Sequence, residues 1–260
     1  MALMFLTRLP VPKYMDHNET LLQQSPRYFP VIGWIVGALS FAAFFICHKY
    51  AGTNIGILAS IIAGILTTGA FHEDGFADTC DAFGGGWTKE KILAIMKDSR
   101  LGTYGVAGLV LMLAAKFLLL KEIVGVAELF LSAQQGEWIL YNMIALIIIS
   151  AHSTSRLMPV LIIQRYQYVT ADDGSKSKPL ASKKLSATAL ITAAAFAIAP
   201  MFFLPLIYLL ALVPMVVITL FAARYFKKWI GGYTGDCLGA VQQVSEIIFY
   251  LSALMIWKFI

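Results

Sequence analysis

Seven apolar runs constrain this chain more than any other feature. They cover about 30–48, 54–71, 103–120, 138–163, 185–202, 204–222 and 245–260. Several reach the ~18 residues a helix needs to cross the hydrocarbon of a bilayer. Lipid offers the backbone no hydrogen-bond partners, so such segments must be helices or strands of a closed barrel. A barrel needs ~10-residue strands of alternating polarity, and these runs are continuous. The expected fold is therefore all-α: a polytopic integral membrane helical bundle of six or seven transmembrane helices. Composition agrees, since 13% of residues are Asp, Glu, Lys or Arg against ~25% in soluble domains. The fifth and sixth runs can form a hairpin turning at "APMFFLP", because Pro200 and Pro205 break helices. The last run is short for a span.

The connecting loops differ in charge. Arg8, Lys13 and Arg27 precede the first run. Lys89, Lys91, Lys97 and Arg100 follow the second. Arg165, Lys176, Lys178, Lys183 and Lys184 follow the fourth, and Arg224, Lys227 and Lys228 follow the sixth. The alternate loops hold little beyond Lys49 and Lys121. The positive-inside rule puts the basic loops in the cytoplasm. The segment "QYVTADDGSKSKPLASKK" reads as a polar cytoplasmic loop, and residues 1–260 read as one integral membrane domain. Small-residue spacings such as Gly33/Gly37 and Gly52/Gly56 suit close helix packing but arise often by chance. The N-terminus is too short and proline-rich for a signal peptide. Cys47, Cys80 and Cys237 form no CxxC pair and read as packing residues. No arginine-rich, aromatic-interleaved patch points to nucleic acid.

The stretch "TTGAFHEDGFADTCDAFGGG" places His72, Glu73, Asp74, Asp78 and Asp81 at the end of the second run. Read as a helix, the i, i+4, i+7 spacing puts Asp74, Asp78 and Asp81 on one face. Like charges at this spacing repel, and a divalent cation relieves the repulsion. Oxygen-only ligands select a hard ion such as Mg²⁺, which keeps waters and takes substrate phosphates too. Glu73 points elsewhere, and a lone histidine such as His72 is more often a packed residue than a ligand. Gly84–Gly86 end the helix. Thr88 can cap the next, whose Ile92, Ile95, Met96 and Ser99 form an interfacial face.

That interfacial helix delivers "KDSR". Asp98 can add a carboxylate, and Lys97 and Arg100 can meet phosphate oxygens. "SAHSTSRLMP" sets His152, Ser155 and Arg156 inside the fourth apolar run, where an unpaired arginine is costly. "GGYTGDCLGA" sets Asp236 among glycines before the last run. These pieces converge on one side of the expected topology: acids for a metal, bases for phosphates, glycines for close approach. They suit phosphoryl transfer on a substrate held at the membrane surface.

Five segments resemble the motifs of the cobalamin synthase family, the adenosylcobinamide-GDP ribazoletransferases. They are "FLTRLPVP", "GAFHEDGFADTCDAFGG", "IMKDSRLGTYG", "SR" at 155–156 and "GGYTGDCLGA…E", in that family's order. Glu73 departs from the pattern, where an apolar residue is expected. The resemblance implies an enzyme of the bacterial inner membrane with its site facing the cytoplasm. It would join adenosylcobinamide-GDP to α-ribazole or its 5′-phosphate, releasing GMP, with Mg²⁺ as cofactor. The 5′-hydroxyl of ribazole would attack the phosphorus beside the cobinamide arm. Asp74, Asp78 and Asp81 would hold Mg²⁺, with Asp236 on a second metal or a ribose. One of these acids, Asp98 or His72 would take the hydroxyl proton. Arg100, Arg156, Lys97 and Arg8 would steady phosphates. A homo-oligomer stays open.

Two other classes compete. A CDP-alcohol phosphotransferase uses a related aspartate-rich helix, but Asp78 stands where its arginine would be expected. A divalent-cation or corrinoid transporter would spread its acids along the spans and on both sides; here they cluster.

Overall fold

A computed structural model describes residues 1–11, 19–129, 136–169 and 184–257. Lys13 and residues 170–183 of the polar loop lie outside them. Helices account for nearly all of the described chain, with one isolated β-bridge between Tyr168 and Tyr233. In order they are α1 (Ala2–Leu6), α2 (Glu19–Gln24), α3 (Phe29–Ala51), α4 (Thr53–Thr68), α5 (Phe71–Gly85), α6 (Lys89–Met96), α7 (Thr103–Ala127), α8 (Glu137–Arg165), α9 (Ala187–Ile198), α10 (Leu212–Ile230) and α11 (Gly235–Trp257). Short 3₁₀ turns precede α3 and join α9 to α10. The second connection breaks at Pro200 and Pro205, as expected.

Four helical stretches among the described residues are long and apolar enough to cross a membrane: Leu21–Ala51, Glu137–Arg165, Leu206–Ile230 and Gly235–Trp257. α4 and α5 supply a fifth if that bent pair counts as one span. α7 is 25 residues long and carries Lys116, Lys121 and Glu122. The fifth apolar run forms only a shorter apolar helix, Ala187–Phe203. The outer faces carry exposed Leu58 and Leu66 on α4, Val110 and Leu111 on α7, and Val217 and Phe221 on α10. Water would penalise such a surface, and lipid solvates it. The protein is an integral membrane helical bundle.

α8 and α11 form its interior. α8 packs on α3, α11, α9 and α10, and α11 packs on α5, α8 and α7. The α3–α8 contact is backbone to backbone. A Cβ on Gly33 would stand 2.6 Å from Ser153 Cα, and one on Gly37 2.8 Å from Ile149 Cα. This small-residue spacing is therefore structural.

The last helix begins at Gly235, not near 245. A search for continuous apolarity misses its first turns because they carry Asp236, Gln242, Gln243 and Glu246. The last three are buried against neighbouring helices.

Candidate active site

α4 ends in a left-handed turn. Gly69 has φ +66° and Ala70 φ +59°, and the Ala70 N–H donates to Ile65 O at 2.9 Å, satisfying a terminal carbonyl of α4. Glycine adopts this conformation freely, whereas Ala70 does so only because its surroundings hold it. The N-terminal segment helps: Arg8 N–H donates to Thr67 O at 2.8 Å. The Arg8 side chain covers Gly69 so closely that a Cβ there would collide with it. α5 then leaves at 89° to α4 with the acidic motif on it.

The expected helix over 74–81 is present, as the middle of α5. Asp74 is exposed, Asp78 half-buried and Asp81 buried. Asp236 joins them from the far end of the chain. The first turn of α11 packs on α5 at Gly75, where a Cβ would stand 2.9 Å from Asp236 Cα. Gly239, one turn on, faces the His72 carbonyl at 3.2 Å by the same measure. Two glycines thus let the helices meet closely enough that the charges of Asp236, Asp74 and Asp81 all bear on Asp78. Among the described residues, no three His, Cys, Asp or Glu side chains converge tightly enough to cage a metal by themselves.

Asp81 needs a correction. Its carboxylate accepts from Gly102 N–H at 2.7 Å and Gly105 N–H at 2.8 Å, so it caps α7. The first N–H groups of a helix have no partner within it, and a negative charge there is favoured. Gly102 and Gly105 also leave room for it, since a Cβ on either would strike the Asp81 carboxylate. Asp81 fixes α7 to α5, with both of its oxygens engaged by that cap.

Asp98 and Arg100 pair with each other. Arg100 Nη2 donates to Asp98 Oδ2 at 2.6 Å and Nε donates to Oδ1 at 3.0 Å. The Arg100 side chain is 88% exposed. That pairing holds the Asp98 carboxyl down at about 2, which makes it a poor base near neutrality. Asp98 is not among the charges bearing on Asp78. Lys97 is exposed at the end of α6. α6 itself is capped by Thr88 as expected, its Oγ1 accepting from Lys91 N–H at 3.3 Å. Its inner face is Ile92, Leu93 and Met96, because the helix ends before Ser99. Arg8 is exposed beside the elbow.

The sequence comparisons decide the family. The model for cobalamin-5-phosphate synthase matches residues 1–254. The chain belongs to that family. Relatives named adenosylcobinamide-GDP ribazoletransferase include proteins of Leptospira interrogans (40% identical, covering 98% of this chain and 94% of the relative) and Vibrio parahaemolyticus (40%, covering 99% and 92%). Another is from Shewanella piezotolerans (39%, covering 98% and 93%). No solved structure matches.

Within this chain, His72 turns away from the acids. It is buried, and the charges acting on it are those of Arg156, Glu246, Lys116 and His152. It belongs to a second polar group, inside the bundle, which reading the sequence largely missed. Lys116 Nζ of α7 lies 2.9 Å from Glu246 Oε1 of α11 and donates to Gln243 Oε1 at 3.0 Å. Gln243 Nε2 donates to Glu73 Oε1 at 2.9 Å. Gln242 Nε2 donates to Glu246 Oε2 at 2.9 Å and to Ser155 Oγ at 3.0 Å. His152 Nδ1 lies 3.6 Å from Glu246 Oε2. Arg156 Nη1 donates to His152 O at 2.9 Å, while its Nε has no partner. Glu73, set aside as an outsider, is buried and through Gln243 anchors α5 to α11. The available signal was Lys116: a lysine in the middle of an apolar run needs a buried partner.

Proposed function

We propose that this protein transfers the cobinamide phosphate of adenosylcobinamide-GDP to ribazole or its 5′-phosphate, releasing GMP. Membership of the cobalamin-5-phosphate synthase family and the names of its relatives support the reaction. The observation that carries the chemistry is the Gly75–Asp236 contact. It joins two acidic segments from opposite ends of the chain at the rim of the bundle.

The donors there fit Mg²⁺. They are carboxylate oxygens, which suit a hard cation, and Mg²⁺ is commonly held by one or two carboxylates with waters and substrate phosphates completing its shell. The lack of a protein-only cage among the described residues is consistent with that mode. One or two of Asp74, Asp78 and Asp236 would hold the ion, and Asp81 would orient α5 from behind. When bound, Mg²⁺ supplies charge neutralisation for the pyrophosphate and the departing GMP.

The protein's own groups do the rest. Arg8, fixed at the elbow beside α5, offers its guanidinium to a phosphate, and Lys97 and Arg100 offer cations at the outer edge. Asp78 or Asp236 takes the proton of the attacking hydroxyl. Attack through the 5′-hydroxyl is open only to unphosphorylated ribazole, because the 5′-oxygen of the phosphate is already esterified. An acceptor position common to both forms is a hydroxyl on the ribose ring. In-line placement of that oxygen opposite GMP completes the step. The basic loops favour a cytoplasmic site in an inner membrane.

The test is purified protein with adenosylcobinamide-GDP, α-ribazole and Mg²⁺, with product identified by mass and GMP release followed. Absence of the joined product refutes the reaction. Near-normal turnover of Asp78→Asn with unchanged Mg²⁺ dependence refutes the metal assignment.

A further inference from the structure

Behind the acids lies a slot bounded by α1, the start of α3, α5, α8 and the start of α11. It encloses about 490 Å³ of empty space, part of it open to solvent. Its walls are apolar and largely aromatic, with Phe5, Phe29, Phe71, Pro159, Ile163 and Leu238 among them. Phe5 and Phe71 meet edge to face at 5.2 Å. Gly235 and Gly239 line the side nearest Asp236. Among the described residues, the polar side chains on the slot are His72 and Arg156.

Arg156 does not look built to serve the fold alone. It is 2% exposed, and no carboxylate lies within ion-pair distance of it among the described residues. Nη1 bonds the His152 carbonyl and lies 3.3 Å from His152 Nδ1, and among the described residues Nε has no partner. A buried donor without an acceptor is costly. A cation with unmet donors at the edge of an aromatic slot calls for a flat, apolar ligand with a single acceptor atom.

We propose that this slot holds the aromatic base of the ribazole acceptor, with Arg156 donating to its one unsubstituted ring nitrogen. The proposal rests on the transferase reading above and adds to it where the acceptor sits. The benzimidazole-type base fills the apolar walls, and its ribose emerges past Gly235 toward Asp236, where the hydroxyl must react. A site that hydrogen-bonds one ring atom rejects analogues lacking it far more strongly than it rejects a change in size. Arg156 is thus a specificity residue for the acceptor base.

The experiment measures steady-state kinetics in nanodiscs, varying each substrate separately. Leu238→Trp, which fills the slot, is expected to raise KM for α-ribazole at least tenfold while KM for adenosylcobinamide-GDP stays within about twofold. Ile163→Ala, which enlarges the slot, is expected to shift kcat/KM toward ribosides of wider bases. Arg156→Met is expected to lessen the preference for the benzimidazole riboside over the indole riboside, which lacks the ring nitrogen. An unchanged ribazole KM in Leu238→Trp, as for a slot filled by a lipid chain, overturns the proposal. So do equal changes in both KM values, or an undiminished base preference in Arg156→Met. If Leu238→Trp does not fold, Ile163→Ala and Arg156→Met decide. Wild-type protein that makes no joined product overturns both this proposal and the reading beneath it. Normal wild-type product with insensitive variants overturns the slot alone.

Discussion

Glu246→Gln keeps the shape of a side chain and removes its charge. Lys116 then keeps Gln243 Oε1 at 3.0 Å but loses the carboxylate 2.9 Å away. The two side chains are 7% and 1% exposed, so bulk solvent does not screen the lost partner. Coulomb's law at an effective dielectric of ~20 gives about 6 kcal/mol at that distance. Desolvation of both ions offsets much of this, and breaking a buried pair from one side costs about 3–5 kcal/mol. Polar side-chain contacts between membrane helices average only about 0.6 kcal/mol, so the two cases separate clearly. Glu246→Gln and Lys116→Met are each expected to destabilise by about 3–5 kcal/mol. The double variant Lys116→Met with Glu246→Gln is expected to lose less than the sum, because no charge is left buried alone. Reversible unfolding in mixed micelles, read as a double-mutant cycle, measures this. Costs under about 1 kcal/mol for both single variants would show that the pair is hydrated or neutral. Additive costs would show that the two groups are not coupled. Either result refutes the paired interior described above.

Asp81→Ala removes the acceptor of the Gly102 and Gly105 N–H groups. It is expected to cost about 1–2 kcal/mol in thermal unfolding, the range for a lost helix cap. An unchanged midpoint would show that α7 does not depend on this cap. Gly33→Val forces α3 off α8, because the first added carbon already meets Ser153 Cα at 2.6 Å. Overpacking of this kind costs about 1–3 kcal/mol, and reduced folded yield checks it. Asp98→Asn should leave the pH–rate profile near neutrality unchanged. Arg100 lowers the folded pKa of Asp98 to about 2. Its pairing is therefore complete above the ordinary carboxylate range and fades only as pH falls toward 2. A lost limb near neutrality in Asp98→Asn would restore Asp98 as a base.

Much of the fold could be read along the chain because lipid imposes a local rule: apolar residues in runs of helical length, with polar loops between. The α5 motif, the Thr88 cap and the break at Pro200 and Pro205 are likewise local, decided by spacing or by a single residue's chemistry. Resemblance to the family was carried by short motifs in order, and the comparisons agree with it. Failures came where a residue's partner lies far along the chain. Asp81 looks like a third metal ligand until Gly102 and Gly105 come to it. Asp98 and Arg100 look like separate site residues until they pair. The start of α11 looks like a loop until helices on several sides cover its polar turns.

Sequence by itself determined a helical membrane protein with an acidic helix and a reaction class, since periodicity, hydropathy and motif order need no third dimension. Tertiary structure alone decided which carboxylates are available. Gly75 and Gly239 let α11 bring Asp236 to Asp74 and Asp78, while capping took Asp81 away. It alone placed His72 and Glu73 inside, beside Lys116, Arg156 and Glu246. Lys116, Glu246 and Glu73 find their partners on other helices, and spacing along one helix cannot say which helix that will be.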